Sequence, residues 1–430
     1  MRNRVKEASA VFERHCFVRF DVVAVGTWNS DDEITEFERS LQDFERKVRP
    51  DTARLAIGFT SQYRIKPGRT HLGGTRGPMY THLLIREWSH QINEPERLEV
   101  LLHELGHFLG AVHSPEPDSV MRPVLGDRQA RAANFRVGFD PLNTLAMCLV
   151  SDALRGGRVK RFADMNLPTQ LELHKLYGEI TKAYPDDKTP AQYVSFLEQS
   201  RIEPLARGAN LVVMGIGSAA EQNARLPKLL GDSLTEFYVR RAAQIAAPLP
   251  ADVGPRAFLL ALGIGLDRTA SLREHRLVGP LCERIESEAQ RKSRLEIMGV
   301  PTAFAKHELA RHFFMAAALS AIIGPEPAER ACLALQLGNS TRLGDFSPAI
   351  YQADLAGIVF AYGVLSGSLH LAELADTFTV AEHLPRREDQ AGSISPADFA
   401  EQFGTVVDPR FRKLREELSA PLRKLAEGSG

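Results

Sequence analysis

Residues 103 to 114 of the 430-residue chain read HELGHFLGAVHS. On an α-helix, His103 and His107 are four residues apart, so their side chains project about 40° apart, one turn above the other. Two imidazoles placed in this way can share one metal ion. Glu104 can reach a water at the same ion and act as its general base. The stretch therefore predicts a helix from about Pro95 to Gly110 that carries a metal site.

The residues after this helix supply a third candidate ligand. Gly110 permits a sharp turn with a positive φ, so that His113 can return to the metal from outside the helix. Three neutral imidazoles leave a fourth tetrahedral position open for water, which is typical of a catalytic zinc site rather than a structural one. We therefore predict one catalytic Zn²⁺ ion, held by His103, His107 and His113, that activates water for hydrolysis.

A methionine follows the third histidine at a short spacing. Met121 lies in the sequence SVMRP, eight residues after His113. The pattern HExxHxxGxxH followed by this methionine resembles the metzincin clan of zinc metallopeptidases. The resemblance implies endopeptidase activity and a methionine turn beneath the zinc ligands at Met121. Ser114, the short spacing to Met121, and Pro123 resemble the matrixin branch. Pro123 also stands where other branches carry a tyrosine ligand, so that ligand is expected to be absent.

The segments before the motif predict alternating helices and strands. Residues Val5 to Cys16 have apolar positions at helical spacing, and the β-branched segment 17 to 28 predicts a strand. Capping residues within Asn29 to Asp32 predict the start of an amphipathic helix, which Pro50 ends.

Two further strands flank a glycine-rich stretch. Arg54 to Thr60 and Thr81 to Arg86 are predicted strands, and THLGGTRGP (70 to 78) is a predicted edge strand or bulge. This layout resembles the adamalysin branch of the metzincins. The resemblance implies that a peptide substrate adds as an extra strand along the glycine-rich edge, and that the segment after the methionine turn walls a substrate pocket. The substrate-binding candidates are Leu72, Gly73, Gly74, Arg122 and Pro123.

Length and composition predict a multidomain globular protein. A chain of 430 residues exceeds one ordinary core, and its 44% hydrophobic and 25% charged residues are typical of folded domains. Strand patterns become scarce after about residue 155. The predicted fold class is α+β, with a metzincin-like domain at 1–155, a helical connecting region at 156–250 and a helical C-terminal domain of unknown role at 251–430.

Charge and hydropathy restrict the partners. The 53 Lys and Arg residues nearly balance the 54 Asp and Glu residues, so no net field favours nucleic acid. No stretch approaches the roughly 20 apolar residues of a membrane span, and the best run is Phe313 to Gly324. The expected partner is a protein or peptide substrate, and the oligomeric state stays open. The first residues lack the apolar core of a signal peptide, which favours the cytoplasm by default and secretion if a leader precedes Met1.

The remaining histidines give weaker signals. His307 and His312 are five residues apart, which rotates them about 140° from each other on a helix, so they are not expected to share an ion. His71, His82 and His90 do not form a recognisable structural zinc or calcium set. A single zinc ion is therefore predicted, and a calcium requirement is left open.

The sequence supports three functional hypotheses. The leading one is an active zinc endopeptidase with Glu104 as its general base. The second is a binding or scaffold protein whose metal-loaded head is catalytically silent. The third is a bifunctional protein with a second activity in the C-terminal half.

Overall fold

A computed structural model describes most of the chain as a mixed α and β protein that is mainly helical. The described residues are 1–62, 72–87, 93–125, 137–155, 157, 159–225, 229–339, 342–343, 345–386 and 392–427. They form two compact units, Met1–Glu198 and Gln199–Gly430.

The described residues of the first unit form six α-helices and a small sheet. Its elements are α1 (Arg2–Cys16), α2 (Phe37–Lys47), β1 (Ala56–Thr60), β2 (Gly73–Gly74), β3 (His82–Arg86), α3 (Glu94–Phe108), α4 (Pro141–Arg155), a 3₁₀ turn (Phe162–Asp164), α5 (Leu167–Ala183) and α6 (Thr189–Leu197). A π-helical turn, Glu198–Ile202, follows α6.

The sheet of the first unit is mixed and has the order β1-β3-β2. Strand β1 runs parallel to β3, with Ala56 opposite His82. Strand β2 runs antiparallel to β3, with Gly73 opposite Ile85, and lies at the edge of the described sheet. The three strands agree with the predicted strands and with the predicted edge strand. His71, which belongs to the same predicted edge segment, lies outside the described residues.

Successive side chains of β3 point to opposite faces of the sheet, so the core of this unit has two layers. Leu83 and Ile85 point to one face and pack with α1 and α3, whereas Leu84 points to the other face. There it meets Leu41 and Phe44 of α2, both of which are buried. Helix α3 is therefore fixed against the sheet by apolar packing along its length.

Helices α5 and α6 extend the first unit beyond the predicted domain bound. They form a second apolar cluster with α4 and with Val112, which includes the fully buried Tyr177. Residues 159–198 therefore belong to the compact unit that carries the HELGH helix, whereas the sequence placed them in a connecting region. The sequence of this region predicts amphipathic helices but does not indicate the core against which they pack. The structure shows that α5 and α6 cover the core of the first unit.

Two predicted elements differ from the structure. Residues 17–28 were predicted as a strand, but no strand is assigned there, and Val22, Val23 and Val25 are exposed. A β-branched pattern predicts a strand only if a neighbouring strand and a core cover it. Helix α2 begins at Phe37 after the cap position Glu36, so the predicted start within Asn29 to Asp32 is also wrong.

The second unit is mainly helical. Its elements are α7 (Glu203–Arg225), α8 (Gly231–Ala246), α9 (Gly254–Gly265), α10 (Ser271–Glu274), α11 (Gly279–Ile285), α12 (Glu288–Ile297), α13 (His307–Ile323), α14 (Pro325–Leu337), β4 (Gly338–Asn339), β5 (Arg342–Leu343), α15 (Pro348–Ser366), α16 (Leu371–Thr377), α17 (Val380–His383), α18 (Pro396–Phe403) and α19 (Pro409–Glu427).

Helices α13 and α15 are the apolar centre of the second unit. A polar contact joins them, because Nδ1 of the buried His312 lies 2.9 Å from Oδ1 of the buried Asp354. His307 instead contacts the carbonyl of Pro301, so the two histidines face different partners. Among the described helices, α15 is long and apolar enough to cross a membrane, but 67% of its apolar window is buried within the unit. A core helix passes the same test, so this is weak evidence for a span.

Gly58 in β1 allows α2 to approach the sheet closely. A Cβ at this position would lie 2.9 Å from Cδ1 of Leu84 and 2.9 Å from Cζ of Phe44. We expect Gly58→Ala to lower the free energy of unfolding by about 1–3 kcal/mol through overpacking. Gly178→Ala in α5 is the matched control, because a Cβ there meets open space. It should raise stability by about 0.5–1 kcal/mol. Urea unfolding of both full-length variants measures the difference, and equal stabilities would contradict this packing.

Candidate metal centre

Helix α3 begins at a capping box and presents the HELGH motif near its C-terminal end. The Asn93 side chain accepts a hydrogen bond from the backbone N–H of Glu96, and the Glu96 carboxylate accepts one from the backbone N–H of Asn93. This reciprocal pair fixes the first turn. The predicted helix from about Pro95 to Gly110 agrees with the observed Glu94–Phe108 within the usual uncertainty of helix ends.

The first two imidazoles face each other across one helical turn. Nε2 of His103 lies 3.0 Å from Nε2 of His107. The Nδ1 atoms point away, at 2.9 Å from the carbonyl oxygen of Val120 and 2.8 Å from that of Ala111, respectively. Because a carbonyl oxygen only accepts hydrogen bonds, each Nδ1 must carry the proton. In the neutral rings both Nε2 atoms then keep a lone pair and point toward the same place.

The electrostatics of the two rings favour this neutral form. Burial lowers the pKa of His103 well below its ordinary value, and the neighbouring His107 lowers it further. Burial, followed by the charge of His113, lowers the pKa of His107 to about 4. Neutral imidazole is the form that ligates metals, so the folded protein presents these nitrogens ready for a cation.

A glycine turn returns the chain to the same place. Gly110 has a φ of +88°, as predicted. The N–H of Gly110 donates to the carbonyl of His107 at 3.0 Å, and the N–H of Ala111 donates to that of Gly106 at 2.9 Å, which is a Schellman pattern. His113 follows, and its ring centroid lies 5.4 Å from that of His103 and 5.1 Å from that of His107.

The segment around His113 is fixed by hydrogen bonds from three directions. The Asn143 amide bonds both backbone groups of Val112, accepting from its N–H at 2.8 Å and donating to its carbonyl at 2.9 Å. The N–H of Ser114 donates to the carbonyl of Met121 at 2.9 Å. Tyr177 donates its hydroxyl to the carbonyl of Gly110 at 2.6 Å.

Met121 lies beneath the active helix. Its side chain is fully buried, and its Sδ would lie 2.7 Å from a Cβ placed on Gly106. Glycine at position 106 is what lets the sulfur come so close to the helix. The role of Met121 as a floor under the three histidines, which the resemblance implies, stays a prediction.

Glu104 lies against the edge strand. A Cβ on Gly73 would lie 2.8 Å from Cγ of Glu104 and 2.9 Å from its Oε1, so glycine leaves the space that this carboxyl occupies. Burial raises the pKa of Glu104 to about 8. The structure therefore brings together the predicted base and the predicted edge strand, which are 31 residues apart in the numbering.

The other predicted substrate residues are distributed differently. Arg122 is buried, and its Nη2 lies 2.6 Å from Oε1 of the buried Glu99 in α3. This guanidinium joins the methionine turn to the active helix, so the expectation that its side chain walls a substrate pocket needs correction. Pro123 is exposed, Leu72 is buried beside β2, and Gly74 is half-buried in β2. Their contact with a substrate stays a prediction.

The side chain of His82 makes contacts that stabilise the fold. Its Nε2 lies 2.7 Å from the carbonyl of Val48, its Nδ1 lies 3.0 Å from Oγ1 of Thr81, and its ring packs edge-on against Phe44. Both ring nitrogens are therefore occupied. His71 and His90 lie outside the described residues.

The three histidines fit a metal ion. Within the described part of the chain, one nitrogen from each of His103, His107 and His113 lies within 4.8 Å of those of the other two. Two nitrogens bound to a tetrahedral zinc at about 2.0–2.1 Å are separated by roughly 3.3 Å, close to the observed 3.0 Å between the two Nε2 atoms. Facing lone pairs repel each other at this distance, and a cation between them removes the repulsion.

The sequence did not identify three residues that support this cluster: Asn143, Tyr177 and Asp187. Asn143 and Asp187 lie at starts of helices, where such side chains read as local caps. Tyr177 reads as one apolar position of an amphipathic helix. Their contacts with residues 110 to 113 depend on tertiary packing, for which the local pattern gives no signal.

Residues 1–134 match the model of a reprolysin-type family described as metallo-peptidase family M12. Members of that family are zinc enzymes. The match includes α3 and all three histidines, and it supports a metallopeptidase. Searches of curated proteins and of solved structures found no match to the chain.

The buried pair of Glu99 and Arg122 gives a test of how the methionine turn is held. Glu99→Ala leaves the guanidinium without this carboxylate, so we expect the free energy of unfolding to fall by about 3–5 kcal/mol. The double variant Glu99→Leu with Arg122→Met should recover most of that loss, because both charges of this buried pair are then removed together. Asp152→Ala, which breaks the exposed contact with Arg155, is the control and should cost about 0–1 kcal/mol. Chemical denaturation distinguishes these outcomes, and a loss for Glu99→Ala no larger than the control's would refute the pairing.

Proposed function

We propose that this protein is a zinc-dependent endopeptidase whose metal is held by His103, His107 and His113 and whose general base is Glu104. The family match supports a metallopeptidase. The proposal goes further and names the metal, the reaction and the residues that carry it out. The peptidase unit then extends to Glu198, the end of the first compact unit.

One observation carries the proposal. The Nε2 atoms of His103 and His107 lie 3.0 Å apart, and their Nδ1 atoms are committed to carbonyl oxygens. The carboxyl of Glu104, the residue after His103, lies against Gly73 of the edge strand. A structural metal site is normally closed by four protein ligands, whereas three ligands beside a buried carboxyl are typical of hydrolytic sites.

The chain's own groups divide the reaction between them. Bound zinc supplies Lewis acidity, which polarises a peptide carbonyl and makes water more acidic. The three imidazoles fix the position at which this occurs, and burial favours the neutral state of His103 and His107. Burial favours protonated Glu104 in the metal-free protein, whereas a cation at the histidines would favour its carboxylate. That carboxylate takes the proton of the attacking water and returns it to the amine nitrogen of the leaving product. No covalent bond to the protein is required.

The edge strand suggests how the substrate is oriented. Strand β2 lies at the edge of the described sheet and next to Glu104. A peptide that adds along this edge by backbone hydrogen bonds would bring its scissile bond to the carboxyl and the metal. Binding through the backbone is compatible with many side chains, so we propose an extended peptide segment as the substrate class.

Metal analysis and Glu104→Gln together test the proposed activity. We expect about one zinc per chain and cleavage of extended peptides from a mixed library. Glu104→Gln should keep its zinc and lose about 100- to 10,000-fold in kcat, because the amide cannot accept the proton. A zinc-loaded wild type that cleaves no peptide would instead favour a catalytically silent binding protein.

Gly73→Ala tests the contact between the edge strand and the base. The added methyl would force Glu104 out of its position, so we expect kcat to fall by roughly 10-fold or more while the zinc content is unchanged. Gly26→Ala is the control, since a Cβ there meets nothing within 4 Å. Steady-state kinetics with one cleaved peptide measures both variants. Equal kcat values for the two would show that Gly73 does not set the position of Glu104.

A further inference from the structure

A carboxylate from outside the family match contacts the third histidine. Asp187 lies in the turn between α5 and α6, and its side chain is 8% exposed. Its Oδ2 accepts a hydrogen bond from the backbone N–H of His113 at 3.2 Å and lies 3.4 Å from Nδ1 of the same residue. Its Oδ1 accepts a hydrogen bond from the backbone N–H of Thr189 at 2.9 Å. Both carboxylate oxygens are therefore engaged. Oδ2 contacts His113 in the loop of residues 110 to 113, which we call the metal loop, and Oδ1 contacts the start of α6.

This contact has the same chemistry as the contacts that orient the other two rings. His103 and His107 direct Nδ1 at the carbonyl oxygens of Val120 and Ala111. His113 directs Nδ1 at a carboxylate instead. An ionised carboxylate only accepts hydrogen bonds, so it selects the tautomer with the proton on Nδ1 and leaves the lone pair on Nε2. A carboxylate also makes the imidazole a stronger ligand.

Helices α5 and α6 hold Asp187 against the metal loop. Tyr177 of α5 bonds the carbonyl of Gly110, three residues before His113. Tyr193 of α6 packs edge-on against Tyr177 with ring centroids 5.2 Å apart, and its hydroxyl would lie 3.9 Å from a Cβ on Gly77, just after β2. The helix pair therefore contacts the loop that carries His113, and it also approaches Gly77, three residues after β2.

We propose that Asp187 is a positioning residue that holds His113 with Nε2 toward the metal, and that α5 and α6 are part of the metal centre. This inference rests on the proposed function, because it requires a metal at the three histidines. It assigns a role to a segment that follows the matched residues 1–134.

Zinc affinity tests the proposal with a neighbouring control. Asp186 adjoins Asp187 in sequence but is exposed. Competition with a chromophoric chelator should show about 10- to 100-fold weaker zinc binding by full-length Asp187→Ala than by the wild type. Asp186→Ala should bind zinc as the wild type does. Equal affinities for the two variants would overturn the proposal.

The tautomer of His113 provides a second readout that needs no variant. Nitrogen-15 NMR of the histidine-labelled, metal-free wild type should show the His113 proton on Nδ1, and Asp187→Ala should lose that preference. A proton on Nε2 in the wild type would overturn the positioning role, even if Asp187→Ala does not fold.

The experiments distinguish failure of the role of Asp187 from failure of the proposed function. A wild type without zinc affinity refutes the proposed function, whereas zinc binding that is insensitive to Asp187→Ala refutes only the role of Asp187.

Discussion

Two imidazole nitrogens, Nε2 of His103 and Nε2 of His107, are held 3.0 Å apart with their lone pairs facing the same place. Such an arrangement is unfavourable without a cation, so the surrounding structure must impose it. Helix α3 sets the spacing of the rings, and backbone carbonyls set their tautomers. The glycine turn at Gly110 then brings His113 to the same place. Much of the first unit can be understood as support for this cluster, from the fully buried Met121 below the helix to the ion pair that joins Arg122 to Glu99.

The sequence predicted the parts of this centre that follow from local geometry. The spacing of four residues fixed His103 and His107 on one helical face, and glycine at position 110 indicated the positive φ. The sequence made Arg122 a substrate-binding candidate and could not predict its ion pair, because its partner Glu99 lies in a helix 23 positions earlier. The predicted strand at residues 17–28 was wrong for a related reason. Its β-branched pattern describes a residue preference, while strand formation needs a neighbouring strand.

The contribution of α5 and α6 shows why sequence motifs understate the size of a site. The motif ends at His113, yet residues as far along the chain as Asp187 contact the loop that carries this histidine. Tyr177 lies in the same helical segment and bonds Gly110. No local pattern links these positions, since packing of α4, α5 and α6 around Val112 brings them together. The second unit is a separate helical core built around α13 and α15.

Zinc K-edge X-ray absorption of the zinc-loaded, full-length protein tests the central claim most directly, because it reports the ligand atoms themselves. The account predicts a shell of light atoms at about 2.0–2.1 Å, with the multiple scattering of three imidazoles and no sulfur. A shell containing sulfur at about 2.3 Å would place the metal at cysteine rather than at the histidines. Fewer than three imidazoles would also contradict the account, because the third ligand, His113, would then be absent from the metal.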